Sequence, residues 1–345
     1  MTVRPLAVIV GCKSFDFSDS EVEFFTKYNP FGLILFERNC RDQKQISALT
    51  HRFRSLVNRR DAPVLIDQEG GRVARLRPPN WRSMPPAMVF GQLFGKNIKV
   101  AEAAIKLNYR LIAEDLRLCG ININCAPVLD LPIPGADDVI GDRALGSDAA
   151  QVVLLGLASC GGLASGGVLP IIKHIPGHGR ALSDSHKSLP VVSASLKELQ
   201  QTDFKVFKNL GHQPIAMTAH IIFTSIDDVY PATVSSKVIK GIVREYINFT
   251  GLLISDDISD NMAALKGGVA ERAEAALSAG CDVVLHCNGN IKDIPDLISG
   301  AREMSDISLD RWSRALKTLN PVTPINTELL ADELNSLIEG FENIN

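Results

Sequence analysis

Short apolar runs, most of them rich in β-branched residues, alternate along this chain with longer segments that mix apolar and charged positions at helical spacing. The runs fall at residues 6–10, 32–36, 64–67, 121–131, 169–174, 215–220, 252–256 and 282–286. Continuous apolar runs of this length suit strands buried on both faces of a parallel sheet. The segments between them predict helices over about 20–28, 43–57, 99–118, 149–164, 196–210, 235–246, 268–279 and 291–304. Ser195 and Ser235 stand where N-caps are expected. Eight alternations predict a (β/α)8 barrel, the TIM-barrel α/β class, over an open doubly wound sheet. No dinucleotide-type glycine fingerprint follows the first run, which weakens the open sheet further. From about 307 to 345 the pattern gives two helices broken at Pro321 and Pro324, expected to pack outside the barrel. The whole of 1–345 reads as a single domain with this helical extension. Residues 156–167, rich in Gly, Ala and Ser, read as a closely packed helix end and turn rather than a linker.

Composition narrows the partners. With 46% apolar residues, 22% charged residues and a net charge of −3, the chain is an ordinary globular composition. Nothing in that balance calls for nucleic acid or an anionic membrane. The seven cysteines at 12, 40, 119, 125, 160, 281 and 287 are scattered and odd in number. They read as reduced core residues of a cytoplasmic protein. Arg4 before the apolar run 6–10 resembles a signal-peptide start, but the run is short and Lys13 and Asp16 follow soon. It is read as the first strand. No stretch has the length to span a bilayer.

Candidate chemistry gathers where the apolar runs end. The third ends in Asp67-Gln68-Glu69-Gly70-Gly71-Arg72-Val73-Ala74-Arg75, and the fourth near Asp130, with Gly141-Asp142-Arg143 in the loop beyond. The fifth ends in Lys173-His174, the sixth in Met217-Thr218-Ala219-His220, the seventh in Ser255-Asp256-Asp257, the eighth in His286-Cys287-Asn288. Parallel barrels keep their chemistry at this end of the strands. The densest stretch runs from Lys173 through His174, His178 and Asp184 to His186. His174, His178, Asp184 and His186 have the donor types of a zinc set but not its spacing. Pro176 and Gly177 break any helix that would stack two of these histidines, and no cysteine lies near.

These motifs closely resemble the bacterial β-N-acetylglucosaminidases of glycoside hydrolase family 3. The carriers are Asp67-Gln-Glu-Gly-Gly-Arg-Val, Lys173-His-Ile-Pro-Gly-His-Gly followed by Asp184-Ser-His186, and Ser255-Asp-Asp, with Gly32-Leu-Ile-Leu-Phe-x-Arg38-Asn39 and Gly141-Asp-Arg143-Ala-Leu-Gly-Ser in support. The resemblance runs from about residue 6 to 290. It implies a single-domain catalytic barrel of the cell-wall-recycling type. The implied activity is that of a retaining exo-β-N-acetylglucosaminidase on small muropeptide fragments ending in 1,6-anhydro-N-acetylmuramic acid. No cofactor, metal, nucleic acid or membrane is called for, and a monomer is expected.

Residue roles follow from the same resemblance. Asp256 is implied as the nucleophile that forms a glycosyl-enzyme. His186 is implied as general acid/base, with Asp184 as its partner. In an extended loop the two side chains project to one side, so the carboxylate can hold one ring nitrogen and favour the imidazolium. Asp67, Arg75, Arg143, Lys173 and His174 are implied as the sugar cradle, acceptor carboxylate beside fixed donors. Met217 is expected to line the floor, and His178 to structure the loop. Plainer roles compete: either aspartate of Ser255-Asp256-Asp257 could cap a helix, Arg75 and Arg143 could form surface ion pairs, and Met217 could be core. Two departures stand out. Ile258-Ser259-Asp260-Asn261-Met262 replaces the usual Leu-Ser-Met, and Ile175 stands where Phe is common. The alternatives kept open are a phosphorylase using phosphate as acceptor and a β-glucosidase of the same family. A non-catalytic sugar-binding protein would be expected to lack Asp256 or His186, and neither is missing.

Overall fold

The computed structural model describes residues 4–184, 188–259 and 264–342. Eight parallel strands close into one barrel: β1 (Leu6–Gly11), β2 (Pro30–Leu35), β3 (Val64–Ile66), β4 (Ile123–Asn124), β5 (Leu169–Ile175), β6 (Ile215–Thr218), β7 (Leu252–Asp257) and β8 (Val283–His286). Each strand pairs with its neighbours in chain order, and β8 returns to β1. The expected (β/α)8 barrel is therefore the fold. Its strands are buried on both faces, because their inward side chains fill the barrel and the outward ones meet helices.

Several boundaries moved for local reasons. The fourth run was expected to stay extended over 121–131, but regular pairing is limited to β4. Pro127 has no N–H to give the ladder. Single bonds flank it, from Cys125 N–H to Ile66 O before it and from Leu129 N–H to Lys173 O after it. The helix expected over 196–210 is two helices, Leu196–Gln201 and Asp203–Asn209. At the break the Thr202 hydroxyl bonds the Glu198 carbonyl, and Arg180 gathers Thr202, Asp203 and Glu198. Ser195 does cap the first of these, accepting from Glu198 N–H at 3.2 Å. Ser235 Oγ accepts from Val238 N–H at 3.2 Å at the start of Lys237–Tyr246, a wide π-type helix whose N-cap position is Ser236. One helix, Ala87–Lys96, was not anticipated. It follows a stretch with four prolines, Pro78, Pro79, Pro85 and Pro86, which masks the apolar pattern that drives it.

The extension is two helices, Asp306–Lys317 and Thr327–Glu342, separated across Pro321 and Pro324. Trp312 packs edge-on to Phe31 of β2 at 5.2 Å, and its indole N–H reaches Asp61. Thr327–Glu342 lies against the long helix Ile98–Leu118. The seven cysteines are all free thiols. Among the described residues, no helix is long and apolar enough to cross a membrane.

Candidate active site

A cleft of about 250 Å³ opens at the C-terminal end of the strands. That is below the roughly 300–1,000 Å³ of sites for drug-sized ligands, and suits one sugar-sized ring. Its wall takes in Asp67, Arg75, Arg143, Lys173, His174, Met217 and Asp256, with Glu69, His178, Asp257 and Cys287 beside them. Seven of the nine residues singled out in the sequence thus share one cavity. Asp184 is half-buried, its carbonyl accepts from Ser188 N–H, and it does not line the cleft. His186 lies outside the described residues, as do Asp260, Asn261 and Met262 of the departure after the nucleophile.

One side of the cleft is an ion network. The chain leaves β3 at Asp67 and turns at Gly70 and Gly71, both at positive φ. A Cβ on Gly70 would sit 2.3 Å from the Pro85 carbonyl oxygen, so only glycine lets the turn close this tightly. The turn sends Arg75 back, and it bonds Asp67 at 3.2 Å. Lys173, 3% exposed, places its ammonium 3.0 Å from Asp67 and 2.7 Å from Glu69. Arg143 grips Glu69 with two parallel bonds of 2.8 and 2.9 Å. Neither arginine is a surface ion pair. Burial works against the charge of Asp67, but Lys173 and Arg75 outweigh it and hold that carboxyl far below its usual range. Glu69 behaves alike: burial opposes its charge, and Lys173 and Arg143 hold it down to about 2. Burial alone would discharge Lys173; Asp67 and Glu69 instead push its pKa above the ordinary value.

The loop after β5 is organised by Asp130, which is fully buried. Its carboxylate accepts the backbone N–H groups of His174 (3.2 Å) and His178 (2.7 Å), and lies 2.7 Å from His174 Nδ1. With Nδ1 committed to the carboxylate, Nε2 is the ring atom of His174 left for a ligand. Burial and the neighbouring His174 lower the pKa of His178 to about 4, so its ring is neutral near pH 7. Gly179 lets this loop press onto the exit of β4, where any side chain would meet the Leu131 backbone at 2.0 Å.

The other side carries Asp256 at the end of β7. Its Oδ1 accepts from Asp257 N–H at 2.8 Å, and its own N–H donates to Thr218 Oγ1 at 3.1 Å. Burial raises its pKa, but His220, His174 and Lys173 outweigh that, so the carboxylate is the form present at neutral pH. Asp257 instead ties strands together, accepting from Ser259 and from Cys287 N–H. Among the described residues the next helix starts after Gly268, and neither aspartate caps it. Met217, 3% exposed, is a core residue that also lines the cleft.

Sequence reasoning left three residues without a role: Glu69, Asp130 and His220. Glu69 had a signal, because it stands two positions after Asp67 and so faces the same way. Thr233, which contacts His220, had none.

A closed parallel barrel with a small polar cleft at its C-terminal rim, holding an ionised carboxylate opposite a fixed set of donors, defines a barrel enzyme for a small polyhydroxylated substrate. Residues 5–316 match the family described as "Glycosyl hydrolase family 3 N terminal domain". The chain belongs to glycosyl hydrolase family 3 and is a glycoside hydrolase. It is 40% identical over 262 residues to a β-hexosaminidase of Bordetella parapertussis, covering 74% of this chain and 72% of that protein. It is 38% identical over 290 residues to the β-hexosaminidase of Bordetella avium, covering 83% and 81%. The structure of NagZ from Neisseria gonorrhoeae in complex with N-trifluoroacetyl-D-glucosamine matches with a TM-score of 0.84 at 30% identity, over 98% of this chain and 97% of that one.

Proposed function

We propose that this chain is a retaining exo-β-N-acetylglucosaminidase. It removes a terminal β-linked N-acetylglucosamine from small peptidoglycan-derived fragments, those ending in 1,6-anhydro-N-acetylmuramic acid, in the cytoplasm. The observation that carries the reading is the ionised Asp256 facing, across a cavity sized for one sugar, the donors and acceptors of Asp67, Arg75, Arg143, Lys173 and His174. A pyranose offers hydroxyls that donate and accept, and this wall meets both needs without a change of protonation.

In the first step Asp256 attacks the anomeric carbon. The glycosidic bond breaks as His186, the general acid that the family motif implies with Asp184 as its partner, gives its proton to the leaving oxygen. In the second step His186 takes a proton from water, the water oxygen attacks the anomeric carbon, and Asp256 leaves. Two inversions return the β-anomer. The β-hexosaminidase relatives and the NagZ complex with N-trifluoroacetyl-D-glucosamine support the sugar, and the small cleft supports cleavage at a chain end.

The test follows an aryl β-N-acetylglucosaminide by proton NMR. The β-anomer of N-acetylglucosamine is expected first, and none from Asp256→Ala. First appearance of the α-anomer would end the retaining reading. N-acetylglucosamine 1-phosphate formed in phosphate buffer would replace hydrolysis by phosphorolysis.

A further inference from the structure

The β6–β7 ladder stops two residues before Asp256. Its last paired residues are Met217 and Ile254. Beyond that point the strand carrying the nucleophile has no backbone register with β6, and side chains take over the tie. Thr218 Oγ1 accepts the N–H of Asp256 at 3.1 Å. Thr218 Oγ1 lies 2.8 Å from Thr233 Oγ1, and Thr233 Oγ1 lies 2.7 Å from His220 Nδ1. The other ring nitrogen of His220, Nε2, is 2.7 Å from the Asp257 carbonyl oxygen. A carbonyl only accepts, so Nε2 carries a proton and donates. Since Thr218 Oγ1 takes the Asp256 N–H, its own proton is free for Thr233. Thr233 in turn has the Ala219 carbonyl at 3.0 Å to take its own proton, with His220 Nδ1 as its further partner. His220, Thr218 and Thr233 are fully buried, so no water competes for these groups.

We propose that His220, Thr233 and Thr218 form a side-chain clamp that positions Asp256 for attack, closing a ring of hydrogen bonds from the N–H of Asp256 to the carbonyl of Asp257. This rests on Asp256 being the nucleophile. A nucleophile must lie about 3–3.5 Å from the carbon it attacks, and a shift of ~1 Å costs about 10²-fold in rate. The clamp holds the two peptide groups that flank the junction of Asp256 and Asp257, and leaves the Oδ2 of Asp256 free toward the cleft. Its members are positioning residues; none of the three lines the cavity.

The experiment compares kcat and KM on an aryl β-N-acetylglucosaminide, with N-acetylglucosamine inhibition as the measure of an intact cradle. Thr233→Val keeps the shape and removes the hydroxyl. We expect kcat to fall about tenfold or more, up to about 10²-fold, with KM and the inhibition constant within about twofold. Thr233→Ser, which restores the hydroxyl, should recover most of the rate. His220→Gln keeps a donor for the Asp257 carbonyl and should retain more rate than His220→Ala. Equal kcat in Thr233→Val, Thr233→Ser and the wild type would overturn the clamp, and so would a loss of rate matched by an equal loss of inhibitor binding. Should Thr233→Val not fold, Thr218→Val cuts the same connection beside Asp256 and is judged the same way. Asp256→Ala run in parallel separates the two ideas. Full rate in that variant removes the nucleophile reading, whereas an inactive Asp256→Ala beside an unimpaired Thr233→Val removes only the clamp.

Discussion

The two walls of the cleft solve opposite problems. The β3 and β5 wall brings three cations, Arg75, Arg143 and Lys173, against two carboxylates, Asp67 and Glu69. Every charge there has a partner that holds it in place. On the β6 and β7 wall the Asp257 carboxylate is taken up by Ser259 and Cys287 N–H, and Asp256, with no ion pair inside 4 Å among the described residues, is held through its backbone by hydroxyls and an imidazole. A group that must form and break a covalent bond cannot be spent in a salt bridge. A group that must stay still while sugars come and go can be. The first wall should therefore fail in stability when altered, and the second in rate.

Asp256→Asn gives the largest expected contrast. The amide keeps the shape and cannot act as nucleophile, so kcat should fall by at least about 10³-fold, the scale seen when a residue of a catalytic set is removed. Stability should change by only about 1 kcal/mol, because no ion pair is broken. Steady-state rates and urea midpoints measured on the same preparation check both halves. A collapse of the urea midpoint would mean that Asp256 is structural.

Lys173→Met reverses the pattern. Removing the ammonium leaves Asp67 and Glu69 buried beside each other with only the arginines to compensate. Breaking one partner of a buried ion network typically costs about 3–5 kcal/mol. We expect the unfolding free energy from urea titration to fall by about that much, lowering the midpoint in proportion, with activity lost as a consequence of a distorted cradle. A midpoint within experimental error of the wild type would erase the distinction between the walls.

The pattern of strands and the rim of polar residues were legible because each is a local property of sequence. A buried parallel strand has to be apolar throughout, and its chemistry has to begin where the apolar run stops. The eight runs, Ser195 as a cap and the outer helices all follow from such rules. The cradle was legible only through the family motif, since spacing alone does not show that Arg143 crosses to Glu69, 74 positions away. What escaped were contacts between distant loops. Thr233 sits in an unremarkable turn before a helix, and its value comes from lying 2.8 Å from Thr218 in another element. Ala87–Lys96 escaped because prolines hid its start, and the break at Thr202 because it depends on Arg180 reaching over from the β5 loop.

Acid titration sharpens the contrast further. Glu69 has its pKa lowered from 4.5 to about 2 in the folded protein. A lowered folded pKa means the ionised form stabilises the fold, fully so above pH 4.5, and that contribution fades as pH falls toward 2. Asp67, shifted the same way, adds to it. The wild-type urea midpoint should thus drop steeply between pH 4.5 and 2. In Glu69→Gln the midpoint should be lower at pH 7 and the slope over that window shallower. Parallel slopes in the two proteins would show that the acid sensitivity lies elsewhere.

Met217→Leu carries the smallest expected effect and tests the boundary between the walls. Met217 pairs in register with Lys173 on one side and Ile254 on the other, and it lines the cleft as the residue expected at its apolar floor. Leucine conserves volume and polarity, so the cost should stay below about 1.5 kcal/mol. If the floor only supports the sugar, that cost appears as a lower urea midpoint, with kcat and KM each within about threefold, well inside the roughly tenfold that 1.5 kcal/mol allows. If the floor instead sets the height at which the ring meets Asp256, the branched side chain lifts or tilts the sugar, and kcat falls while the midpoint holds. The cradle fixes the sugar from the side by charge-assisted bonds with little freedom to adjust. We therefore expect the first result, with the polar wall fixing where the sugar sits and the apolar floor only supporting it.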